Sequence, residues 1–489
     1  MRRPRLALWA ILAWLVIWQV TAMALDSELL LPAPLTVIAR TAELALTAPF
    51  WQRVTFSLAR IFAGFALGTT VGIAAAALAV RFRRAEEFFA PAITVMKSVP
   101  VASITVLALV WLRAANLAVF VVMLVATPVM YENVAAGLRA QDTRLVEMAT
   151  LFRIPTLRRV RLIVLPALMP HLQSGLALSL SMAWKAGVAA EVIGIPTGSF
   201  GEAIYAAKVA FDTPALFAWT LAVVALSVAS ERVLLFAIDA LKPWLIAAAG
   251  STSEQRAVQA EAMPQEGHAF ATANDASLSS DQTLRLSQIT WGAKDAAPTD
   301  GATDTPPEPA GCTALIDGFS LSLRQGEVAC IMAPSGAGKT TLLRLVAGLE
   351  RADAGHVDVP APVSMVFQED RLAEQASLLT NVRSPLTRGS AAWEEAPHML
   401  AALGLESRML APAHTCSGGE RKRCALARAL LAPHATLLLD EPFTGLDETA
   451  HALAAHLVAK HEQDRIVLVA THDPADLHLL GARGINLEH

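Results

Sequence analysis

Apolar residues dominate the first half of the chain in long unbroken runs. The second half breaks into short apolar segments separated by polar and glycine-rich turns. The runs fall at about residues 6–25, 54–80, 88–112, 115–136, 170–195 and 213–237. A bilayer core takes about 20 apolar residues in a helix, so this pattern predicts six membrane spans. The first run follows Met1-Arg2-Arg3-Pro4-Arg5, and Ala22-Met23-Ala24 has the look of a cleavage site, so a signal peptide competes with a retained helix. The length of the run favours the retained helix. From about 250 to 282 the runs stop, and Ser, Ala, Gln, Glu and Asp predict a flexible tether. Strand-like runs then alternate with helical ones, as in an α/β domain. A polar insert at about 293–311 sits between two of these strands. The expected organisation is a membrane domain over 1–245, a tether over 246–282 and an α/β domain over 283–489.

Charge orients the spans. Arg81, Arg83 and Arg84 follow the second run, and Arg139, Arg144, Arg153, Arg158, Arg159 and Arg161 follow the fourth. The positive-inside rule places both loops in the cytoplasm, together with the N-terminus and everything after the sixth run. Lys97, Lys185 and Glu191 lie within the runs, where charge is costly. Lys185 and Glu191 are six apart on one helix and are poor partners for each other, and Lys97 is close enough to the cytoplasmic end to snorkel.

Composition agrees with a membrane protein: 54% of the 489 residues are hydrophobic and only 17% are charged. The net charge of −4 gives no footprint for a nucleic-acid partner. The four cysteines, Cys312, Cys330, Cys416 and Cys424, form no CxxC pair and read as reduced, mostly buried thiols.

Chemistry enters at residues 333–340, Ala-Pro-Ser-Gly-Ala-Gly-Lys-Thr, between a strand over 327–332 and a helix from Thr341. Strand, glycine-rich loop and helix form the context of a phosphate-binding loop. Backbone N–H groups from Ser335, Gly336, Ala337, Gly338, Lys339, Thr340 and Thr341 can converge on one anion, aided by the helix N-terminus. Lys339 would reach the β- and γ-phosphates of ATP, and Thr340 would ligate Mg²⁺. Ala333 stands where such loops begin with Gly. About 100 residues on, the buried-type strand Thr436–Leu439 ends in Asp440 and Glu441. Its carboxylates belong at the sheet edge beside the loop. Asp440 is the candidate Mg²⁺ partner and Glu441 the candidate general base.

Cys416-Ser417-Gly418-Gly419-Glu420 resembles the LSGGQ signature of ABC transporters, with Cys for Leu and Glu for Gln. The resemblance implies that Ser417, Gly418 and Gly419 bind the γ-phosphate of ATP held by a second copy. It also implies a helical subdomain in the ATPase. Gln368 then matches the Q-loop glutamine, which contacts Mg²⁺ and the coupling interface. Gly445-Leu446-Asp447 matches the D-loop, His472 the switch histidine, and Trp291 the aromatic that stacks on adenine. Glu420 adds negative charge beside the γ-phosphate position.

The loop after the fourth run reads Glu147-Met148-Ala149, then Arg153, then Ile163-Val164-Leu165-Pro166. Its spacing resembles the EAA loop of ABC importer permeases, which docks on the ATPase. Met148 replaces Ala, and Arg153 replaces a Gly at a place where positive φ comes hard to arginine. The segment from Ala183-Trp184-Lys185 to Ala190-Glu191 is similar to nitrate, sulfonate and taurine permeases. The resemblance implies a type I importer-like all-α permease fused to a P-loop ATPase, working as a homodimer in the bacterial inner membrane with a separate extracytoplasmic solute-binding protein. A half-size exporter and a membrane ATPase that transmits force or a signal are the alternatives. The short loops disfavour the first, and the small outside loops disfavour the second.

Overall fold

The computed structural model describes residues 8–246, 282–292, 315–334, 336–462 and 464–487. The residues expected to form the tether up to Asp281, the insert at 293–311, Ser335 and the basic N-terminal residues lie outside the described residues. The chain forms two compact units. One holds residues 1–140 and 167–243, and the other holds 141–166 with 244–489.

In the first unit the expected runs appear as helices α1 (Leu8–Leu25), α3 (Ala48–Arg81), α6 (Ala114–Arg139), α9 (Leu165–Gly194) and α11 (Thr213–Ile246). The intervening α2 (Pro34–Ala45) and α10 (Phe200–Val209) are shorter. Among the described residues four helical stretches, not the expected six, are long and apolar enough to cross a membrane: Ala48–Arg81, Ala114–Arg139, Thr156–Gly194 and Thr213–Lys242, while the first run gives only the shorter apolar helix Trp9–Leu25. The run at 88–112, expected as one straight span, is instead two helices, α4 (Arg83–Ser98) and α5 (Val101–Ala108), bent by 100°. Pro100 causes the break. It has no N–H to continue the ladder, and its ring pushes Val99 out of the helical region to φ −75, ψ 127.

Close packing of α3 on α6 rests on three glycines one turn apart. A Cβ on Gly64 would lie 2.6 Å from the Val119 carbonyl oxygen, one on Gly68 2.7 Å from Ala126 Cβ, and one on Gly72 2.7 Å from the Thr127 carbonyl oxygen. Small residues at this spacing let helix backbones meet where lipid supplies no hydrophobic drive between helices. The ionisable residues find partners on other helices. Ser57 Oγ on α3 donates to Glu191 Oε2 at 2.7 Å, and the Phe200 N–H of α10 donates to Ser57 Oγ at 3.0 Å. Lys97 Nζ meets Glu132 Oε1 at 2.5 Å, whereas Lys185 is exposed.

The second unit carries two sheets. The antiparallel one has the order β2-β1-β4, from β1 (Thr283–Trp291), β2 (Ile316–Arg324) and β4 (Ala354–Asp358). The parallel one has the order β5-β6-β7-β3-β8, from β3 (Val328–Met332), β5 (Val363–Val366), β6 (Thr436–Asp440), β7 (Ile466–Thr471) and β8 (Arg483–Asn486). Every residue of β6 and β7 is buried, as expected of central strands covered on both faces.

The loop 141–166 packs into this second unit. Met148, Ala149, Phe152, Ile154 and Ile163 belong to the same hydrophobic cluster as the strands. Its helix α7 (Thr143–Leu151) starts at Asp142, whose side chain accepts from the Arg144 N–H. It ends in a Schellman turn: Arg153 N–H bonds to the Thr150 carbonyl, and Ile154 N–H bonds to that of Ala149. The turn requires a left-handed residue, and Arg153 supplies it at φ 49. The arginine therefore keeps the geometry a glycine would give, at a cost of about 1 kcal/mol. Arg153→Gly should relieve this strain and slow hydrogen exchange at the Ile154 amide by about fivefold. Unchanged or faster exchange would show that the turn is not strained.

Candidate nucleotide site and its coupling loop

The parallel sheet gathers the candidate residues along one edge. The phosphate loop leaves β3, Gln368 follows β5, Asp440 and Glu441 end β6, and His472 follows β7. All lie at the carboxyl ends of parallel strands, where ligands bind in open α/β sheets. In the loop, Gly336 and Gly338 take φ 87 and 89. A Cβ on Gly336 would meet nothing within 4 Å, so the backbone angle itself is what selects glycine there. Gly338 caps the helix Lys339–Val346, which starts two residues earlier than expected. Lys339 is buried, and its Nζ donates to the carbonyls of Ala333 and Pro334. Ala333 thus contributes a backbone carbonyl, a role that does not depend on its side chain.

Thr340 Oγ1 donates to Asp440 Oδ1 at 3.2 Å. Asp440 is buried, and its Oδ2 has no hydrogen-bond partner among the described residues. Burial pushes its carboxyl above the usual range, Glu441 adds to the shift, and Thr340 opposes it. An orphaned buried carboxylate oxygen beside a hydroxyl is a hard oxygen pair that suits Mg²⁺, so these residues fit the metal. Glu441 takes φ 45, with its N–H bonded to the Ala470 carbonyl. Its Oε1 lies 3.5 Å from His472 Nδ1, and its Oε2 accepts from Thr444 Oγ1 at 3.4 Å. Trp291 ends β1 half-buried against the core.

Ser417 caps the helix Gly418–Leu431 with a capping box: its side chain accepts from the Glu420 N–H, and Glu420 Oε2 accepts from the Ser417 N–H. The Ser417 N–H bond holds the Glu420 carboxyl below its usual range, with Arg408 3.4 Å away. The extra charge foreseen from the sequence is thus engaged locally. Ser417 and Gly418 are exposed, and Gly419 lies against the Gly445-Leu446 turn. Asp447 caps the following helix, Glu448–His461, by accepting from the Ala450 N–H. Burial pushes the thiols of Cys330 and Cys424 up to about 12, which leaves them inert.

The same helix, Gly418–Leu431, reaches the segment 367–371 that carries Gln368. Lys422 Nζ donates to the carbonyl of Gln368 at 2.7 Å and of Phe367 at 3.4 Å. Arg428 donates to the carbonyls of Arg371 and Asp370 at 2.9 and 3.2 Å, and its guanidinium sits 5.0 Å over the Phe152 ring of the coupling loop. Burial lowers Arg428 to about 10. Gln368 itself is exposed.

From this segment, side chains grip the loop. Glu147 receives Arg344 in a two-pronged pair at 3.1 and 3.1 Å, and Arg371 at 2.8 Å. Arg144 meets Glu369 at 2.6 Å. Arg158 donates to the carbonyls of Arg383, Ser384 and Leu386 and faces the Trp393 ring. Ala149 is buried in the cluster, and so is Met148, which fills volume where the family pattern has Ala. Leu165 and Pro166 are half-buried at the start of α9, after a π-helical turn over Val160–Val164 closed by the Leu165 N–H on the Val160 carbonyl. Sequence reasoning found the loop but missed Arg344, Arg371, Arg144, Arg158 and Glu369. The available signal was position: Arg344 follows Lys339 by five, and Arg371 follows Gln368 by three.

The two arginines, Arg344 foremost, hold the Glu147 carboxyl below its usual range against the opposing effect of burial. Its contribution to docking is therefore fully present above about pH 4.3 and is lost as pH falls through the lower docked value. Glu147→Gln should cost about 2 kcal/mol of docking, because it removes the carboxylate from Arg371 and leaves Arg344 with Glu350 alone. Faster hydrogen exchange across amides 147–154 would report it, and exchange equal to wild type at pH 7 would contradict it.

Residues 316–444 match the family model described as ABC transporter. Residues 68–245 match the one described as binding-protein-dependent transport system inner membrane component. The aliphatic sulfonates import ATP-binding protein SsuB 1 of Pseudomonas fluorescens is 42% identical over 174 residues, 35% of this chain and 66% of that protein. The thiamine import ATP-binding protein ThiQ of Chelativorans sp. is 39% identical over 191 residues, 35% of this chain and 76% of that protein. Among solved structures, a dimeric structure of the bacterial ABC transporter cassette MJ0796 aligns at 25% identity and a TM-score of 0.35, covering 40% of this chain and 90% of that one. The chain belongs to the ABC transporter family, as a multi-pass inner-membrane permease and an ATP-binding cassette carried on one polypeptide.

Proposed function

We propose that the chain imports a small solute at the expense of ATP, as a homodimer served by a separate solute-binding protein. The permease domain spans 1–245, the tether 246–282 and the cytoplasmic ATPase 283–489. The observation that carries the reading is the clasp of Glu147 by Arg344 and Arg371, which joins an EAA-type loop to the helix behind the phosphate loop. That loop type belongs to importers, and it speaks against the half-size exporter and the force-transmitting ATPase.

The residues divide the work. Gly336, Ala337, Gly338, Thr341 and the neighbouring Ser335 present backbone N–H groups to the phosphates. Lys339 turns from its own loop carbonyls to the β- and γ-oxygens. Thr340 and Asp440, with Gln368, would hold Mg²⁺, which neutralises phosphate charge when bound. Glu441 takes the proton of the attacking water, and His472 steadies the γ-phosphate end. Trp291 stacks on adenine. Ser417, Gly418 and Gly419 close on the nucleotide of the second copy, so two chains complete two sites. Relatives named for aliphatic sulfonate and thiamine import, and the likeness of residues 183–191 to nitrate, sulfonate and taurine permeases, support a solute of one of these types.

Glu441→Gln should lower ATP hydrolysis by about 10²–10⁴-fold while leaving ATP binding intact. Turnover at the wild-type rate would remove Glu441 from its role. In proteoliposomes, solute uptake should require ATP and an added binding protein. Efflux without a binding protein would favour the exporter.

A further inference from the structure

We infer that His451 is a positioning residue for hydrolysis, tying the loop of Glu441 to the loop of His472. The inference rests on the ATPase reading above. His472 is 57% exposed at its side chain, and its 3.5 Å approach to Glu441 is too long for a firm hydrogen bond. Its place must therefore be set by the backbone on either side. The residue before it, Thr471, accepts through Oγ1 from the N–H of Asp473, the residue after it, at 3.1 Å. The Thr471 hydroxyl hydrogen is committed to Asp476 Oδ2, which leaves the lone pair free for that N–H. Asp476 is buried, and its other oxygen, Oδ1, lies 2.7 Å from His451 Nε2.

His451 reaches in two further directions. Its ring stacks on Phe443, two residues past Glu441, with centroids 4.9 Å apart and planes 24° apart. Its own N–H bonds to the Asp447 carbonyl at 2.8 Å, one turn from the helix cap. The imidazole thus contacts the segment just past the general base and, through Asp476 and Thr471, reaches the switch histidine, while the D-loop is met only by the ordinary helical bond of the backbone N–H. His451, Asp473 and Asp476 also lie close enough together to suggest a cation site. Both Asp476 oxygens are already taken by hydrogen bonds, so the cluster reads as a tie. A buried polar chain of this kind gains little net stability over apolar packing, but it fixes one arrangement of the groups it joins.

The test uses the full chain with ATP. His451→Phe keeps the stack on Phe443 and removes the donor to Asp476, and His451→Gln restores an N–H donor. Thr471→Val removes the hydroxyl with little change in shape. His451→Phe and Thr471→Val should each lower kcat about tenfold, with KM for ATP within about twofold. Without nucleotide, both should speed amide exchange at His472, Asp473 and Ala475 while exchange in β6 and β7 stays unchanged. His451→Gln should recover most of both effects. Wild-type kcat in His451→Phe, or unaltered exchange at these amides, overturns the inference. So does failure of His451→Gln to rescue, or loss of protection throughout the sheet, since either marks a packing role alone. If the wild-type chain hydrolyses no ATP, the functional reading fails, and the exchange experiment still decides whether the tie exists.

Discussion

Two cations buried beneath the segment 367–371 hold the soluble half in working order. Lys422 and Arg428 leave water to donate to four carbonyl oxygens of that segment. Desolvation lowers both from their usual values, Arg428 to about 10. Apolar side chains of similar volume would often fold at least as stably. What the cations supply is direction. They fix an irregular stretch of backbone at the end of β5, and from it Arg371 and Glu369 project onto the coupling loop while Gln368 stays at the sheet edge. The helix that holds this stretch begins at Ser417. The signature, the Q-loop and the coupling loop are therefore joined through side chains of one helix.

The membrane unit depends on a different constraint. Its helices gain nothing from excluding water from one another in lipid, so contact requires close backbones and satisfied polar groups. Gly64, Gly68 and Gly72 give the first, and the Ser57–Glu191 and Lys97–Glu132 pairs give examples of the second. Polar partners lie on other helices, which is why the six-residue spacing of Lys185 and Glu191 carried no pairing. The bend at Val99-Pro100 obeys the same economy: a broken helix frees backbone groups that must be met inside the protein.

Motifs were legible in the sequence where chemistry restricts the residue. The phosphate loop, the Asp440-Glu441 pair and Ser417 could be placed because a turn, a metal or a helix start admits few side chains. The strands that precede the phosphate loop and Asp440, and most of the long helices, followed from apolar runs, whereas the order of strands in the sheet did not. Three features were out of reach for physical reasons. The partners of Glu147 are about 200 residues distant and on different elements, so their offsets from Lys339 and Gln368 mark them as near the site without pairing them with Glu147. The break in the run at 88–112 depended on how one proline would be accommodated, which hydropathy does not register. Glu420 looked like an unfavourable charge because its engagement by the Ser417 N–H and Arg408 emerges only in three dimensions.

Arg153 shows how such departures are absorbed. A left-handed arginine costs about 1 kcal/mol. Against it stand the burial of Met148, Ala149, Phe152, Ile154 and Ile163 and the clasp on Glu147. Fully burying side chains of the larger kinds contributes about 1.5–3 kcal/mol each, so the strain is small beside the packing that follows the turn. The turn geometry is what must be kept, because it sends Ile154 back over Ala149 and brings Arg158 to the carbonyls of Arg383, Ser384 and Leu386. A residue at this position is therefore constrained in φ before it is constrained in identity. A loop that departs from its family pattern at two positions can then dock through the same backbone path.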